Sequence, residues 1–574
     1  MRTAILAIIG TLLLAATTAS ADWPAGGKFV GSPYASFHGS YGVNFLDLPS
    51  GDLALVMFGV GGNGLGYSMQ RISPSGEFAS GWPARGIVLG QFTGAIPPFQ
   101  HGFVVDDSGC VWHGGDMSQS SGKVSKLLRP DGALVPGTSA AWQTFTSVST
   151  GPADAAPAPG GAYIVESSRI QRMTRAGTPA AGWPANGIST GISAFDVSVV
   201  GDGADGAVVL GLPLGETPHA QRIDANAIRH AGWPAAGVLL SNDPEDVDAD
   251  FGLELGAPLI PSGPGAFIAA WGTPYQSGTD GIKKVKLQRF LLDGTLDPAW
   301  PPGGLLAVPA DSISGVTLIP DGLGGGHLLW YNLHLHTIFG KHVLASGQFA
   351  GAVGPYGIAL PAPGSQPHIT TRGYLGHPLG NVPADAAPNG GLVFAWNDDA
   401  LAPTESIRVR WLLSDYTADP GEPAAGRLIV PTGPGTRLRG VHSDGVGGAY
   451  VAWEQYDPNQ QDPFADTDIW MTRLLPSSLL GVHPSPPLAT LALSAPRPNP
   501  SHGAITFDVT LPDDSPARVE LLDIAGRVQR SQLVSGPGSH NVTFGDAGSL
   551  APGLYFARVT SRSGTRSMRV VLAR

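Results

Sequence analysis

Short apolar runs, broken every few residues by Gly, Pro, Asn or Asp, recur from residue 22 to about residue 489. Runs of four to eight apolar or alternating residues bounded by turn formers predict strands, and no stretch there sustains the 3.6-residue period of an amphipathic helix. The pattern also repeats. Trp-Pro-x-x-Gly opens at Trp23, Trp82, Trp183, Trp233 and Trp300. Four copies follow a Gln-Arg pair (Gln70-Arg71, Gln171-Arg172, Gln221-Arg222, Gln288-Arg289), with 11 residues from Arg to Trp each time. Unrelated loops would not share that interval, so it marks one hairpin used repeatedly: a strand ending near Gln-Arg, a turn, and a strand opening at Trp-Pro.

A second element lies between these hairpins. Asp321-Gly322-Leu323-Gly324-Gly325 leads through apolar residues to Trp330, and Asp444-Gly445-Val446-Gly447-Gly448 leads to Trp453, nine residues after the Asp in both. Ser262-Gly263 leads likewise to Trp271, with weaker copies at Ser50-Gly51, Ser108-Gly109, Pro159, Asp202 and Asn389-Gly390. Glycines there supply the positive φ of tight hairpin turns. One unit thus reads as four short strands in about 50–65 residues, the size of a propeller blade. The expected fold is all-β: an eight-bladed β-propeller over residues 22–489, with seven blades or an open β-solenoid as alternatives. The eighth unit lacks Trp-Pro-x-x-Gly, while Trp23–Gly27 is an unmatched copy. Closure by the N-terminal strand explains both and pairs two otherwise open sheet edges. Ten of the 13 Trp fall in this register and are expected to fill space between blades; Trp142, Trp411 and Trp470 fall outside it.

The first 21 residues read as a signal peptide. Arg2 precedes an apolar run from Ala4 to Ala16, and Ala19-Ser20-Ala21 forms a small-residue cleavage site before Asp22. The run is shorter than a membrane-spanning helix needs, and no later segment is long and apolar enough. Gly (81) and Pro (52) are abundant and only 14% of residues are charged, which fits dense turns between short strands. Cys110 is the single cysteine, so no intramolecular disulfide forms, and its apolar setting implies a buried, inert thiol. The last 85 residues carry nine Arg against six acids, which leaves a strongly acidic body upstream. Such a body repels nucleic acid and anionic membranes.

From about residue 490 the grammar changes. Alternating strands are expected at 504–510, 518–523, 540–544, 554–560 and 567–572, separated by turns at Ala525-Gly526-Arg527 and Ala551-Pro552-Gly553. Short alternating strands in some 80 residues without cysteine argue for an Ig-like sandwich. Five landmarks occur here in order: Pro498-Asn499-Pro500-x-x-Gly503, Val519–Arg527, Gly538-x-His540, Ala551–Val559 and Met568–Leu572. This run resembles the type A C-terminal sorting domain of the type IX secretion system, related to the Ig-like domain of flagellar hook-capping proteins. The resemblance covers only residues 490–574. It implies export through the outer-membrane secretion machinery to the surface or the medium, and no activity.

Chemistry is sparse. The acidic run holds Asp243, Glu245, Asp246, Asp248, Asp250 and Glu254. Asp246, Asp248 and Asp250 alternate as calcium ligands do, which makes calcium the one cofactor suggested. The run departs from the EF-hand order at Phe251 and Ala257, and a solvated loop is the alternative. Asp457, Asp462, Asp466 and Asp468 form a looser cluster. His334 and His336 flank Leu335 and would share one face of a strand. No nucleophile elbow, zinc-protease motif or phosphate loop is present. The expectation is therefore a secreted or cell-surface, non-catalytic binding or structural propeller that presents loops to an extracellular polymer, glycan or protein. The alternatives are a hydrolase or lyase with carboxylates at the channel mouth, or a coat component.

Overall fold

In the computed structural model the structure describes residues 23, 27–31, 37–61, 64–83, 86–92, 102–115, 124–129, 143–144, 153–166, 168–192, 196–213, 215–247, 255–256, 258–274, 282–309, 313–351, 353–361, 365–368, 382–388, 390–398, 406–430, 436–455, 468–476, 492–493, 496, 499, 501–511, 516–534, 538–561 and 564–573. The chain divides into two compact units, Met1–Ser478 and Leu479–Arg574. Both are all-β; among the described residues the only helical turns are two short 3₁₀ turns, Pro244–Asp246 and Ala547–Ser549.

The N-terminal unit is a succession of small, mostly four-stranded antiparallel meanders, numbered here as sheets one to eight. Sheet one is Phe37–Asp47, Leu53–Gly61, Gly64–Ile72 and Ile87–Phe92. Sheet two is Gly102–Val105, Val111–Gly115, Val124–Leu128 and Gln143–Thr144. Sheet three is Ala153–Ala158, Gly161–Glu166, Arg169–Thr174 and Ile188–Ser189. Sheet four is Asp196–Gly201, Ala207–Leu212, His219–Ile223 and Val238–Leu239. Sheet five is Leu259–Pro261, Ala266–Pro274, Ile282–Leu291 and Leu305–Val308. Sheet six is Ile313–Pro320, Gly326–Asn332, Thr337–Val343 and Ile358–Ala359, and it joins sheet five at Ile282↔Ile313. Sheet seven sets Pro367–His368 and Ala384–Ala386 along Leu392–Asp398, followed by Ser406–Leu412 and Arg427–Val430. Sheet eight is Thr436–Ser443, Ala449–Gln455 and Asp468–Leu474, and its fourth strand is Lys28–Gly31, paired through Lys28↔Met471 and Phe29↔Trp470. First strands of consecutive sheets lie against each other from one to eight, and that of eight lies against that of one.

Second strands form the buried layer, and Gly161–Glu166, Ala207–Leu212, Gly326–Asn332 and Leu392–Asp398 are buried at every position. The Trp-Pro positions depart from expectation. Trp-Pro precedes the fourth strand instead of opening it, because Pro83, Pro184 and Pro234 begin a turn whose carbonyl accepts the N–H of the motif's closing glycine at 2.9–3.0 Å. Gly237 shows why that residue is glycine. Its φ is 83°, and a Cβ would sit 2.7 Å from the Ala220 carbonyl oxygen.

The connections differ at the two ends of the strands. First-to-second turns span 48–52, 106–110, 159–160, 202–206, 262–265, 321–325, 387–391 and 444–448, never more than five residues. Third-to-fourth connections at the same end span 73–86, 129–142, 175–187, 224–237, 292–304, 344–357 and 413–426, always 13 or 14 residues. At the opposite end, second-to-third loops range from two residues (62–63) to 12 (456–467), and sheet-to-sheet links from four (309–312) to 19 (240–258), the last including Leu255–Gly256, which pairs in parallel with Val316 and Thr317 of sheet six. We call these the turn end and the loop end.

The C-terminal unit has two sheets around one core. Ala492–Leu493, Ile505–Leu511 and Gly538–Phe544 form the first; Val528–Val534, Ala517–Asp523, Gly553–Ser561 and Gly564–Leu572 form the second, in that order. Phe507, Val519, Leu521, Val542, Ala557 and Val559 meet between them. The strand Val528–Val534 went unpredicted: Gln529, Arg530, Ser531 and Gln532 give an edge strand little apolar signal.

Candidate functional site

The repeated motifs turn out to be fasteners at the turn end. The Gln70, Gln171 and Gln221 Nε2 atoms donate to the carbonyls of Pro83, Pro184 and Pro234 at 2.7–2.9 Å. The arginine after Gln70 and Gln221 takes the turn aspartate, Arg71 with Asp52 at 2.6 Å and Arg222 with Asp202 at 2.8 Å, and in sheet eight Arg473, after Thr472, takes Asp444 at 2.5 Å. The other oxygen of Asp202 accepts from Ala204 and Gly206 N–H, so one carboxylate both folds the turn and binds the third strand. The Trp-Pro indoles reach the next sheet. Trp183, Trp233 and Trp300 donate to the carbonyls of Ala225, Leu292 and Ala345 at 2.9–3.1 Å. Trp23 occupies the same place between sheets eight and one, with its ring over Gly76. There Lys28 supplies the hydrogen bond instead, to the Gly76 carbonyl at 2.6 Å.

The tryptophans of both motifs are at most 9% exposed, so they pack the interior and offer no stacking surface. Trp411 is buried as well, beneath the Arg427 guanidinium. Trp142 lies outside the described residues. Cys110 is buried in the turn before Val111–Gly115.

The loop end holds the described part of the acidic run, Asp243, Glu245 and Asp246. Asp243 caps the 3₁₀ turn Pro244–Asp246, and Asp246 is fully buried. Lys286, on the third strand of sheet five, donates to Asp243 at 2.6 Å and to Asp246 at 2.9 Å, and Ser241 Oγ donates to Asp246 at 2.5 Å. Glu245 pairs with Lys284. The Lys286 hydrogen bond holds the Asp243 carboxyl below its ordinary range. Burial alone would lower the ammonium of Lys286, but its two carboxylates outweigh that and raise it. An ammonium therefore sits where a cation would bridge Asp243 and Asp246. Asp248, Asp250, Asp457, Asp462 and Asp466 lie outside the described residues, and no cluster among the described residues is arranged to hold a metal ion. Two further loop-end carboxylates are paired: Asp398 with Arg408 at 2.8 Å, and Glu454 with Arg439.

The histidines differ from the reading of the sequence. His334 and His336 lie in the turn between Gly326–Asn332 and Thr337–Val343, where His336 has φ 46°, so they share no strand face. His327 and His342, directly paired on adjacent strands, stack at 4.3 Å instead. His342 binds Asp321 at 2.9 Å and the Ser414 carbonyl at 3.0 Å. His327 binds the Gly390 carbonyl at 2.9 Å and Tyr416 Oη at 3.1 Å, so the stack ties sheet six to sheet seven. Burial, helped by the neighbouring His342, pulls His327 down to about 4. In sheet six, Lys341-His342 stands where other sheets carry Gln-Arg: Lys341 Nζ reaches the Pro355 carbonyl at 2.7 Å.

His442 joins three sheets. From sheet eight, its Nδ1 meets Asp385 of sheet seven at 2.7 Å and its Nε2 meets Asp47 of sheet one at 3.1 Å, while Phe45 stacks on the ring at 5.4 Å. Burial alone would lower this group, but the two carboxylates overcome it and raise His442 to about 9.

Comparison with known proteins decides the address. Residues 497–573 match the family model of the secretion system C-terminal sorting domain. The chain is thus a secreted or cell-surface protein, exported through a machinery that recognises this domain. Among the described residues no helix is long and apolar enough to cross a membrane. No curated protein matches the sequence. Among solved structures, a Dyadobacter fermentans protein of unknown function is similar at 11% identity over 79% of this chain and 99% of that one, with a TM-score of 0.36. The WD40 domain of Neurospora crassa Pan2 is similar at 12% identity over 65% and 89%, with a TM-score of 0.31. PorZ, a surface component of the type IX secretion system of Porphyromonas gingivalis, is similar at 11% identity over 90% and 85%, with a TM-score of 0.15. Likeness this loose assigns no role.

Proposed function

We propose that the chain, after removal of residues 1–21, is a non-catalytic eight-bladed β-propeller, closed by Lys28–Gly31, that binds an extracellular polymer, glycan or protein through its loop end. An Ig-like sandwich over residues 490–574 serves as its sorting tag. The observation that carries the binding role is the contrast between the two ends. The turn end keeps its connections constant and fastened, whereas length variation is confined to the other end, and binding residues collect on loops held by a rigid scaffold. The links 240–258 and 456–467 contain nine acids and no Lys or Arg of their own; Lys284 and Lys286 pair with three of them, which leaves an acidic excess that favours neutral or cationic ligands over polyanions.

The test shortens loops one at a time. Residues 456–467 are replaced by the two-residue Gly-Asn turn of 62–63, and residues 275–281 likewise, and each full mature chain is screened on a glycan array and against basic and neutral polymers. Binding lost in one variant with the urea midpoint unchanged supports the reading. Wild-type ligands retained by both variants, or a wild type that binds only polyanions, overturns it.

A further inference from the structure

We propose that the outward face of the second sheet in the C-terminal unit is a docking surface for an acidic, apolar-anchored segment of an outer-membrane export protein. This rests on the sorting role of that unit.

Alternation settles which residues point outward. Along Gly553–Ser561, Tyr555, Ala557 and Val559 enter the core, which leaves Leu554, Phe556, Arg558 and Thr560 on the opposite face. Strand register carries that face across the sheet. Val528, Leu522, Phe556 and Arg569 lie opposite one another as a first rung, and Leu554 lies beside Val571 next to it. A second rung holds Glu520 and Arg558, ion-paired at 2.7 Å. A third holds Leu533, Arg518 and Thr560 beside a hollow of about 700 Å³.

Two features set this face apart from ordinary surface. Val528 (49%), Leu533 (63%), Leu554 (39%) and Phe556 (39%) are exposed together on one sheet, whereas isolated exposed apolar residues need no explanation. The charge around them is also one-sided: Arg518 and Arg569 add to the Glu520–Arg558 pair, so the face carries net positive charge. An apolar cluster of Val528, Leu554 and Phe556 flanked by arginines is the composition of a protein-binding patch, and its complement is an apolar side chain flanked by carboxylates. The charge complementarity therefore favours an acidic protein segment as the occupant.

The experiment uses the full chain in a bacterium carrying such a secretion system, with the fraction reaching the surface and medium read against the periplasmic fraction. V528T/L554T/F556T removes the apolar cluster while keeping residues that suit a strand, and R518E/R569E reverses the flanking charge. Each is expected to lower the exported fraction about tenfold. The purified melting curve should stay unchanged, because these side chains lie outside the core. L323T/V446T, which alters two exposed apolar residues on the Gly-rich turns of the other unit, should be exported normally. Normal export of both face variants, with a chain lacking residues 490–574 retained in the periplasm, overturns the docking face alone. Export of that truncated chain overturns the sorting role beneath it.

Discussion

If Trp23 is the eighth sheet's contribution to a closed ring, removing its side chain should cost as much as removing an interior Trp of the same kind, less one indole hydrogen bond. Trp23 is 5% exposed, its ring meets Tyr450 edge-on at 6.0 Å, and Gly76 of sheet one lies beneath it. A Trp side chain buries about 200 Å². At about 25 cal/mol per Å² that is about 5 kcal/mol of transfer free energy. Partial collapse of the cavity brings W23A to about 3–5 kcal/mol. Trp233 sits in the equivalent place between sheets four and five but also donates to the Leu292 carbonyl at 3.1 Å, so W233A should cost about 1 kcal/mol more. Urea unfolding of the mature chain, followed by far-UV circular dichroism, compares the two midpoints, and limited proteolysis follows exposure of 468–474. A W23A midpoint equal to wild type, with W233A clearly lower, would refute the reasoning and leave the N-terminal strand an ornament on an open array.

Two histidines should give stability opposite pH dependences. His442 is raised from about 6.5 in the unfolded chain to about 9; its contribution is full below about 6.5 and lost as pH rises through 9. Its size is about 1–2 kcal/mol after allowance for solvent around Asp47, and H442Q should flatten the alkaline limb of a urea-midpoint profile. His327 is lowered to about 4, so the unfolded chain binds the extra proton between pH 4 and 6.5. Stability should fall by about 2–3 kcal/mol across that window on acidification, and H327Q should remove much of the fall. Asp202 and Arg222 form a buried pair that also folds a turn, so D202A should cost about 3–5 kcal/mol by leaving Arg222 unpaired; D202A/R222M should recover part of it in the same assay. K341Q should restore the Gln seen in other sheets and relieve a buried cation whose burial lowers it to about 8, so near pH 7 its urea midpoint should match or exceed wild type.

How much the sequence revealed depends on how far apart the interacting groups lie along the chain. The Gln-Arg to Trp-Pro interval was visible because one side chain must span a connection of fixed length, as Gln171 does to Pro184. Sheet six escaped the pattern because Lys341-His342 replaces Gln-Arg and Pro355 comes one residue late. In sheet seven Trp411 stands at the Arg position and Glu422 at the Trp position, with Arg427 reaching the Leu475 carbonyl where an indole would otherwise reach. Distant partners left no trace. Asp47 is 395 residues from His442, and Lys286 is 40 residues from the Asp246 it holds. The acidic run was legible as charge, while the lysines that neutralise part of it were not.

The separation of constant and variable connections frees one side of the molecule from the other. Residues can be inserted or deleted at 240–258 or 456–467 without lengthening any span that a Gln, Arg or Trp must bridge. New recognition surfaces can thus arise by drift, or be grafted by design, on a body whose folding is written elsewhere in the chain.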